Sequence, residues 1–201
     1  MLNSTLMEIE KHPLAPFLSI HAKVLLLGSF PPPKIRWKMD FYYPNFQNDM
    51  WRIMGIVFFK DKNHFLDTDK KQFKESQIHD FLLAQGIAIY DAATAVIRHQ
   101  GNASDKHLEV IESINLSEIM QKIPECEAII TTGEKATEEL MKSFDSHTLI
   151  PKIGQSTTAC YQGRILKLYR LPSSSRAYPL ALEQKARHYA DCFKKHFANI
   201  N

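Results

Sequence analysis

The stretch VLLLGSFPPP, residues 24–33, decides how the rest of this 201-residue chain is read. Its unbroken apolar run, entered from Lys23, has the pattern of a strand buried on both faces, as strands of a parallel sheet are. The run breaks at Gly28 and passes through Ser29 and Phe30 into three prolines. Prolines fix φ and remove N–H donors, so this turn is stiff and cannot continue a sheet. A second segment, ILKLYRLPSSSRAYP at 165–179, is built the same way, an apolar run opening into serine and proline. Two rigid loops at strand ends are placed to share one ligand.

Outward from these two segments the pattern alternates. A helix is expected over 48–59 (NDMWRIMGIVFF), and another over 73–85, with apolar residues at 73, 78, 81 and 82 and a stop at Gly86. A short strand follows at 87–90, a helix at 116–123, a buried strand at 128–131 and a helix at 133–144, with Thr132 as a candidate N-cap. Strand 165–169 and helix 180–197 close the series. Four apolar strands alternating with helices predict an α/β fold: a three-layer α/β/α sandwich around a central four-stranded parallel sheet, one domain over 1–201. The polar stretch 60–71 reads as a surface insertion.

Composition narrows the function classes. At 44% hydrophobic and 23% charged residues the chain can build one globular core. No stretch approaches the roughly 18 apolar residues of a membrane span, and the N-terminal segment MLNSTLMEIEKHPLAPFL has no apolar signal region, so a cytoplasmic protein without membrane attachment is expected. Cys126, Cys160 and Cys192 form no Cys-x-x-Cys pair and read as reduced, structural thiols. His188, Cys192 and His196 share one helical face, but Tyr189, Phe193 and Phe197 mark that helix as packed, and no metal or cofactor is expected. A net charge of +3 permits a polyanionic partner without requiring one. The local signal is stronger: KIRWKMDFYYPNFQNDMW at 34–51 interleaves cations with aromatics and amides, which suits a phosphate backbone and a stacked base.

In open parallel sheets ligands bind beyond the carboxyl ends of the strands, where both proline loops must lie. GSFPPP lacks the spacing and the N–H groups of a phosphate-cradling loop, and the serines at 173–175 lack the turn that presents a serine nucleophile. Gly133 and Lys135 at a helix start suit an anion or a plain cap. Asp91, just past a strand, is either a general base or an organiser of a neighbouring group.

In order and spacing, HPLAPFL, VLLLGSFPPP, FYYPNFQNDMWRIMG, GIAIYDAATAVIRHQGNASD, TTGEKA and LPSSSRAYP resemble the uracil-DNA glycosylase superfamily, and most closely its hypoxanthine-DNA glycosylase-like branch. The resemblance covers nearly the whole chain. It implies a monofunctional enzyme of base excision repair, which flips a deaminated base, hypoxanthine or uracil, out of DNA and hydrolyses its N-glycosidic bond without a metal. The expected partner is DNA carrying a damaged base, bound by a monomer. By the same resemblance the two proline loops pinch the DNA backbone, with Pro31, Pro32, Lys34, Arg36, Lys38, Ser173, Ser174, Ser175 and Arg176 on the DNA side. Gly28, Ser29, Phe30 and Leu171 then line the base pocket, and Tyr43 stacks on the base.

The chain also departs from the best-known relatives. They carry Asp or Asn in the first motif where Phe30 stands, and open the second motif with His or Asn where Leu171 stands. In the hypoxanthine-type branch an asparagine of the segment matching PNFQN takes over, which makes Asn48 and Asn45 candidates beside Asp91. An amide cannot deprotonate water at neutral pH but can orient it, which suffices if the bond breaks first to an oxocarbenium-like sugar. Asn48 equally suits a helix N-cap. Two other readings stay open: a non-catalytic nucleic-acid-binding member of the same fold, and a small-molecule nucleoside or phosphate-ester hydrolase using the same crevice.

Overall fold

A computed structural model describes residues 8–99, 107–198 and 200. The opening apolar run forms β2 (Val24–Gly28), buried throughout. It lies between two parallel neighbours, β5 (Ile87–Asp91) and β8 (Ala128–Thr132), and β10 (Arg164–Leu171) continues the parallel order beyond β8. The central sheet does not end there. β9 (Gln155–Tyr161) pairs antiparallel with β10, giving five strands in the order β5-β2-β8-β10-β9 in place of the four expected. β9 carries one serine and two threonines at the edge of the sheet and buries only Ala159, so it has no apolar run to announce it.

Helices α1 (Met50–Phe59), α2 (Glu75–Gln85) and α5 (Leu182–Phe193) share one aromatic cluster. At its centre Phe58 lies 4.8 Å from Phe81 and 5.4 Å from Phe193, ring to ring. Two further helices are α3 (Leu116–Lys122) and α4 (Glu134–Met141), the latter packed on β8. Gly86 ends α2 as expected: its φ of 69° lets its N–H turn back to the carbonyls of Leu82 and Leu83. Other boundaries differ. Helix α1 begins two residues later than its sequence pattern, with Asp49 as N-cap, and α4 is capped by Gly133 at φ 105°, so Thr132 is not its cap. The 60–71 stretch is no loose insertion. It holds β3 (Leu66–Asp67), which pairs with β4 (Gln72–Phe73) just beyond it, and Phe65 and Leu66 are buried, Phe65 within 5.1 Å of the Phe81 ring.

A second, antiparallel sheet packs beside the first proline loop: β1 (Ile9–Lys11), β6 (Ala93–Arg98) and β7 (Leu108–Ser113), in the order β1-β6-β7. β6 starts directly after β5, and on the way the N–H groups of Ala92 and Ala93 donate to the carbonyls of Gly28 (2.8 Å) and Ser29 (3.1 Å). Arg98 completes the brace by donating to both carboxylate oxygens of Glu10 (3.0 and 3.1 Å) and to the Pro31 carbonyl (3.0 Å). The proline loop is therefore held along its length by the second sheet. No helix among the described residues is long and apolar enough to cross a membrane.

Candidate active site

The register of the parallel strands decides what meets at their carboxyl ends. Gly28 pairs with Asp91 across β2 and β5, and Thr132 pairs with Leu171 across β8 and β10. Above these ends lies a cavity of about 550 Å³, walled on one side by Gly28–Pro32 with Arg36 and on the other by Ser173–Pro179. Tyr42–Asn45, Gln47 and Asn48 close it from the aromatic segment, and Asp91 and Thr132 lie on its floor. The volume falls within the range of small-molecule sites.

Most sequence candidates converge here. Gly28, Ser29, Phe30, Pro31, Pro32, Arg36, Tyr43, Asn45, Asn48, Asp91, Ser173, Ser174, Ser175 and Arg176 all line the cavity. Leu171 does not; its side chain is buried in the core at the end of β10, and its carbonyl accepts from Gly133 N–H at 3.1 Å. Lys34 and Lys38 are exposed nearby and do not line it either. Phe30 turns its ring toward packing partners, edge-on to His12 at 5.3 Å and against the small cluster of Ala93, Val96 and Leu108.

The floor is the most constrained part. Asp91 is buried, and its Oδ2 accepts from His12 Nε2 at 2.8 Å, while the Leu14 N–H reaches His12 Nδ1 at 3.1 Å. The other carboxylate oxygen lies so close to Gly28 that a β-carbon there would collide with it and come within 3.0 Å of the Tyr43 hydroxyl. Only glycine lets the three groups meet. Tyr43 adopts φ 52°, left-handed backbone that a bulky residue rarely takes. Its hydroxyl is 2.8 Å from Thr132 Oγ1, which donates to the Leu27 carbonyl at 3.3 Å. Behind it, burial and then the negative charge of Asp91 push the Tyr42 phenol far above its usual range, and it stays neutral as a donor to the Ala15 carbonyl (2.9 Å).

Asn48 sits at the entrance to α1 with its Oδ1 accepting the Met50 N–H at 2.9 Å. That contact serves one of the donors a helix start leaves over, and it fixes the amide plane beside the cavity. Asn45 makes the same kind of turn contact, accepting the Gln47 N–H at 3.0 Å. In the facing loop, Ser173 Oγ accepts the Ser175 N–H (3.2 Å) and Ser175 Oγ accepts the Ala177 N–H (3.3 Å). Accepting uses hydroxyl lone pairs and leaves their protons to donate.

The serine loop is tied to the start of α1 and to α5 by a buried charge network that no sequence pattern announced. Asp49 Oδ2 lies 3.2 Å from Lys185 Nζ and Oδ1 lies 3.1 Å from Arg176 Nε. The Asp49 N–H donates to the Ser174 carbonyl (2.9 Å) and Lys185 donates to the Ser175 carbonyl (2.7 Å). Lys185 is 1% exposed. Beneath it, Arg52 donates to the carbonyls of Phe46 (2.8 Å) and Asn48 (3.0 Å); burial and then the Arg176 charge lower its pKa, with Asp49 opposing. His12 and Thr132 are the other residues the pattern missed. The strand-end rule that picked out Asp91 applies equally to Thr132 and could have found it. Among the described residues no cluster of His, Cys, Asp and Glu could hold a metal.

No protein-family model matches the chain, and no curated protein matches it. A solved structure does: the solution NMR structure of a putative uracil DNA glycosylase from Methanosarcina acetivorans. It matches with a TM-score of 0.61 over 94% of this chain and 98% of that one, at 22% identity. The likeness shows that this chain has the fold of that protein.

Proposed function

We propose that this protein is a monofunctional DNA glycosylase that takes a deaminated base, hypoxanthine or uracil, into the cavity and hydrolyses its N-glycosidic bond. The observation that carries the reading is the convergence of Tyr43, Asn48 and Asp91 in one cavity between two braced loops. A flipped base would stack on Tyr43, with Arg36, Arg176 and the Ser173 and Ser175 hydroxyls toward the phosphates. As the C1′–N bond breaks, its electron pair leaves with the base and the sugar becomes oxocarbenium-like. A water held by Asn48 then adds its oxygen to C1′ and gives up a proton, and Asp91, backed by His12, is the acceptor within the cavity. No lysine lines the cavity among the described residues, which favours hydrolysis over a lyase step through an amine. The preference for hypoxanthine rests on the resemblance of the GSFP and PNFQN segments alone.

The test is excision from duplexes carrying uracil, hypoxanthine or xanthine, followed by hot alkali to cut abasic sites. Strand scission at one of these bases is expected. Binding without scission on any of them would leave a nucleic-acid-binding module, and neither binding nor scission would point to a small-molecule hydrolase.

A further inference from the structure

The edge of a β-sheet presents a row of unpaired N–H and C=O groups, and folded chains blunt such edges or pair them. Most edges of this molecule are blunted. Beyond β5, Phe17 closes the sheet by exchanging backbone hydrogen bonds with Ile89 (3.0 and 2.9 Å). β1 is three residues long and carries Glu10 and Lys11, β7 carries Glu109 and Glu112, and β3 and β4 are two residues each. The outer edge of β9 has none of these devices. It runs for seven residues and pairs with β10 without a bulge, from Tyr161 opposite Arg164 to Gln155 opposite Arg170. Its sequence, QSTTACY, holds no charge and no proline, and no described residue pairs with its other side.

The residue order of β9 says which partner fits this edge. Laid antiparallel on a second copy about a two-fold axis at Thr158, Gln155 opposes Tyr161 of the other copy, Ser156 opposes Cys160, Thr157 opposes Ala159 and Thr158 opposes itself. No pair sets like charges together, and hydroxyl-bearing pairs facing each other across a ladder add to its stability. Ser156, Thr158 and Cys160 are exposed and share one face of the strand, so the facing pairs among them are free to form. The same register carries the loop entering β9 to the turn that leaves β9 on the other copy, with Ile153 opposite Gly163. That loop exposes Leu149 at 74%, Ile150 at 59% and Ile153 at 43%. Their apolar surface enlarges an interface that a bare pair of strands would leave small.

We infer that the protein forms a symmetric dimer through β9, joining two five-stranded sheets into one of ten strands, in place of the monomer that the family resemblance implies. The antiparallel join reverses the strand direction of the second sheet. The two cavities, each at the carboxyl ends of its own parallel strands, therefore open at opposite ends of the dimer and neither is covered. The inference stands apart from the glycosylase reading and does not depend on it.

The experiment reads oligomeric state and register on the full chain. Wild type at about 50 µM should sediment as a dimer, a concentration that populates complexes of micromolar Kd. Thr158→Lys sets two lysines directly opposite and should sediment as a monomer that still melts cooperatively, and mixing it with Thr158→Glu should restore the dimer. Residues directly opposite in an antiparallel pair have Cα atoms about 4.5–5.5 Å apart, within disulfide reach, so Ser156→Cys should cross-link to Cys160 of the other copy under mild oxidation. Wild type should not cross-link, because its two Cys160 residues stand four positions out of register, about 13 Å along the strand. Thr157→Cys should not either, since its side chain points to the opposite face of the sheet. A monomeric wild type would overturn the dimer and leave the edge to a strand from another protein. A dimer that Thr158→Lys leaves intact, or cross-linking in Ser156→Cys no faster than in Thr157→Cys, would overturn it as well.

Discussion

Lys185→Met tests whether the buried charges hold the serine loop against the start of α1. The ammonium is 1% exposed and Asp49 is 6% exposed, so removing the cation strands a carboxylate in low dielectric. Breaking a buried pair by losing one partner costs about 3–5 kcal/mol. Arg176 stays on Asp49 Oδ1 at 3.1 Å but is half exposed, so it offsets part of the loss and places the expectation near the lower end. For a domain of this size about 3 kcal/mol corresponds to a melting temperature lower by about 6–12 °C. The Ser175 carbonyl also loses its 2.7 Å donor, so the serine loop loosens directly at the cavity wall. A shift of about 1 Å there costs on the order of 100-fold in single-turnover excision. The assay is thermal melting and excision on one preparation of wild type, Lys185→Met, Asp49→Asn and the double variant. The double variant should recover part of the loss, since it no longer holds the carboxylate that Lys185→Met strands. A melting change within about 2 °C with excision unchanged in Lys185→Met would refute the reasoning, because surface-like pairs behave that way.

Two further outcomes follow from the same geometry. Asn48→Asp keeps the acceptor for the Met50 N–H and removes the amide donor, so melting should stay within about 1 kcal/mol of wild type while excision falls about 30- to 1000-fold; equal melting with full activity would take Asn48 out of the mechanism. Burial pushes the Cys126 and Cys192 thiols up to about 11 and about 12 from 9.0, while Cys160 is exposed. Both folded values lie above the unfolded one, so their contribution to stability is complete below pH 9 and is lost as pH rises through about 11 and 12. Melting temperature should therefore fall above pH 9, and iodoacetamide near pH 8 should label Cys160 alone until the protein is denatured; labelling of Cys192 in the native state would contradict the packing.

What was legible in the sequence follows from which physical signals are local. The parallel strands announced themselves because a strand buried on both faces must be apolar throughout, as Val24–Leu27 and Ala128–Ile130 are. Strand β9 did not, since an edge strand with water on its faces needs no apolar pattern, and β6 was masked by following β5 after a single residue. The candidate site was legible through its punctuation: proline loops at strand ends place Gly28, Ser29 and Ser173–Arg176, and the aromatic segment supplies Tyr43 and Asn48. Its bracing was not. Asp49 and Lys185 lie 136 positions apart and nothing in their local context distinguishes them from surface charges; Asp91 stands out at its strand end, but its partner His12, 79 positions away, does not. A threonine before a glycine and a helical pattern suits a cap, but the Tyr43 hydroxyl and Leu27 carbonyl claim the Thr132 side chain instead.

The strand order has a consequence for the time course of synthesis. The cavity is assembled from β2, β5, β8 and β10, but its second wall is fastened by Lys185, which lies on the last helix. A chain emerging from the ribosome thus carries its aromatic platform and first proline loop long before anything can close over them. Domains of this kind assemble as units, and the long-range pairings that complete them come late. On the glycosylase reading, the exposed apolar and cationic face of the unfinished chain would be sticky toward nucleic acid without being able to enclose a base. On that reading a nucleotide is held only once α5 docks, so this helix acts as the closing clasp of the cavity as well as a packed element of the core.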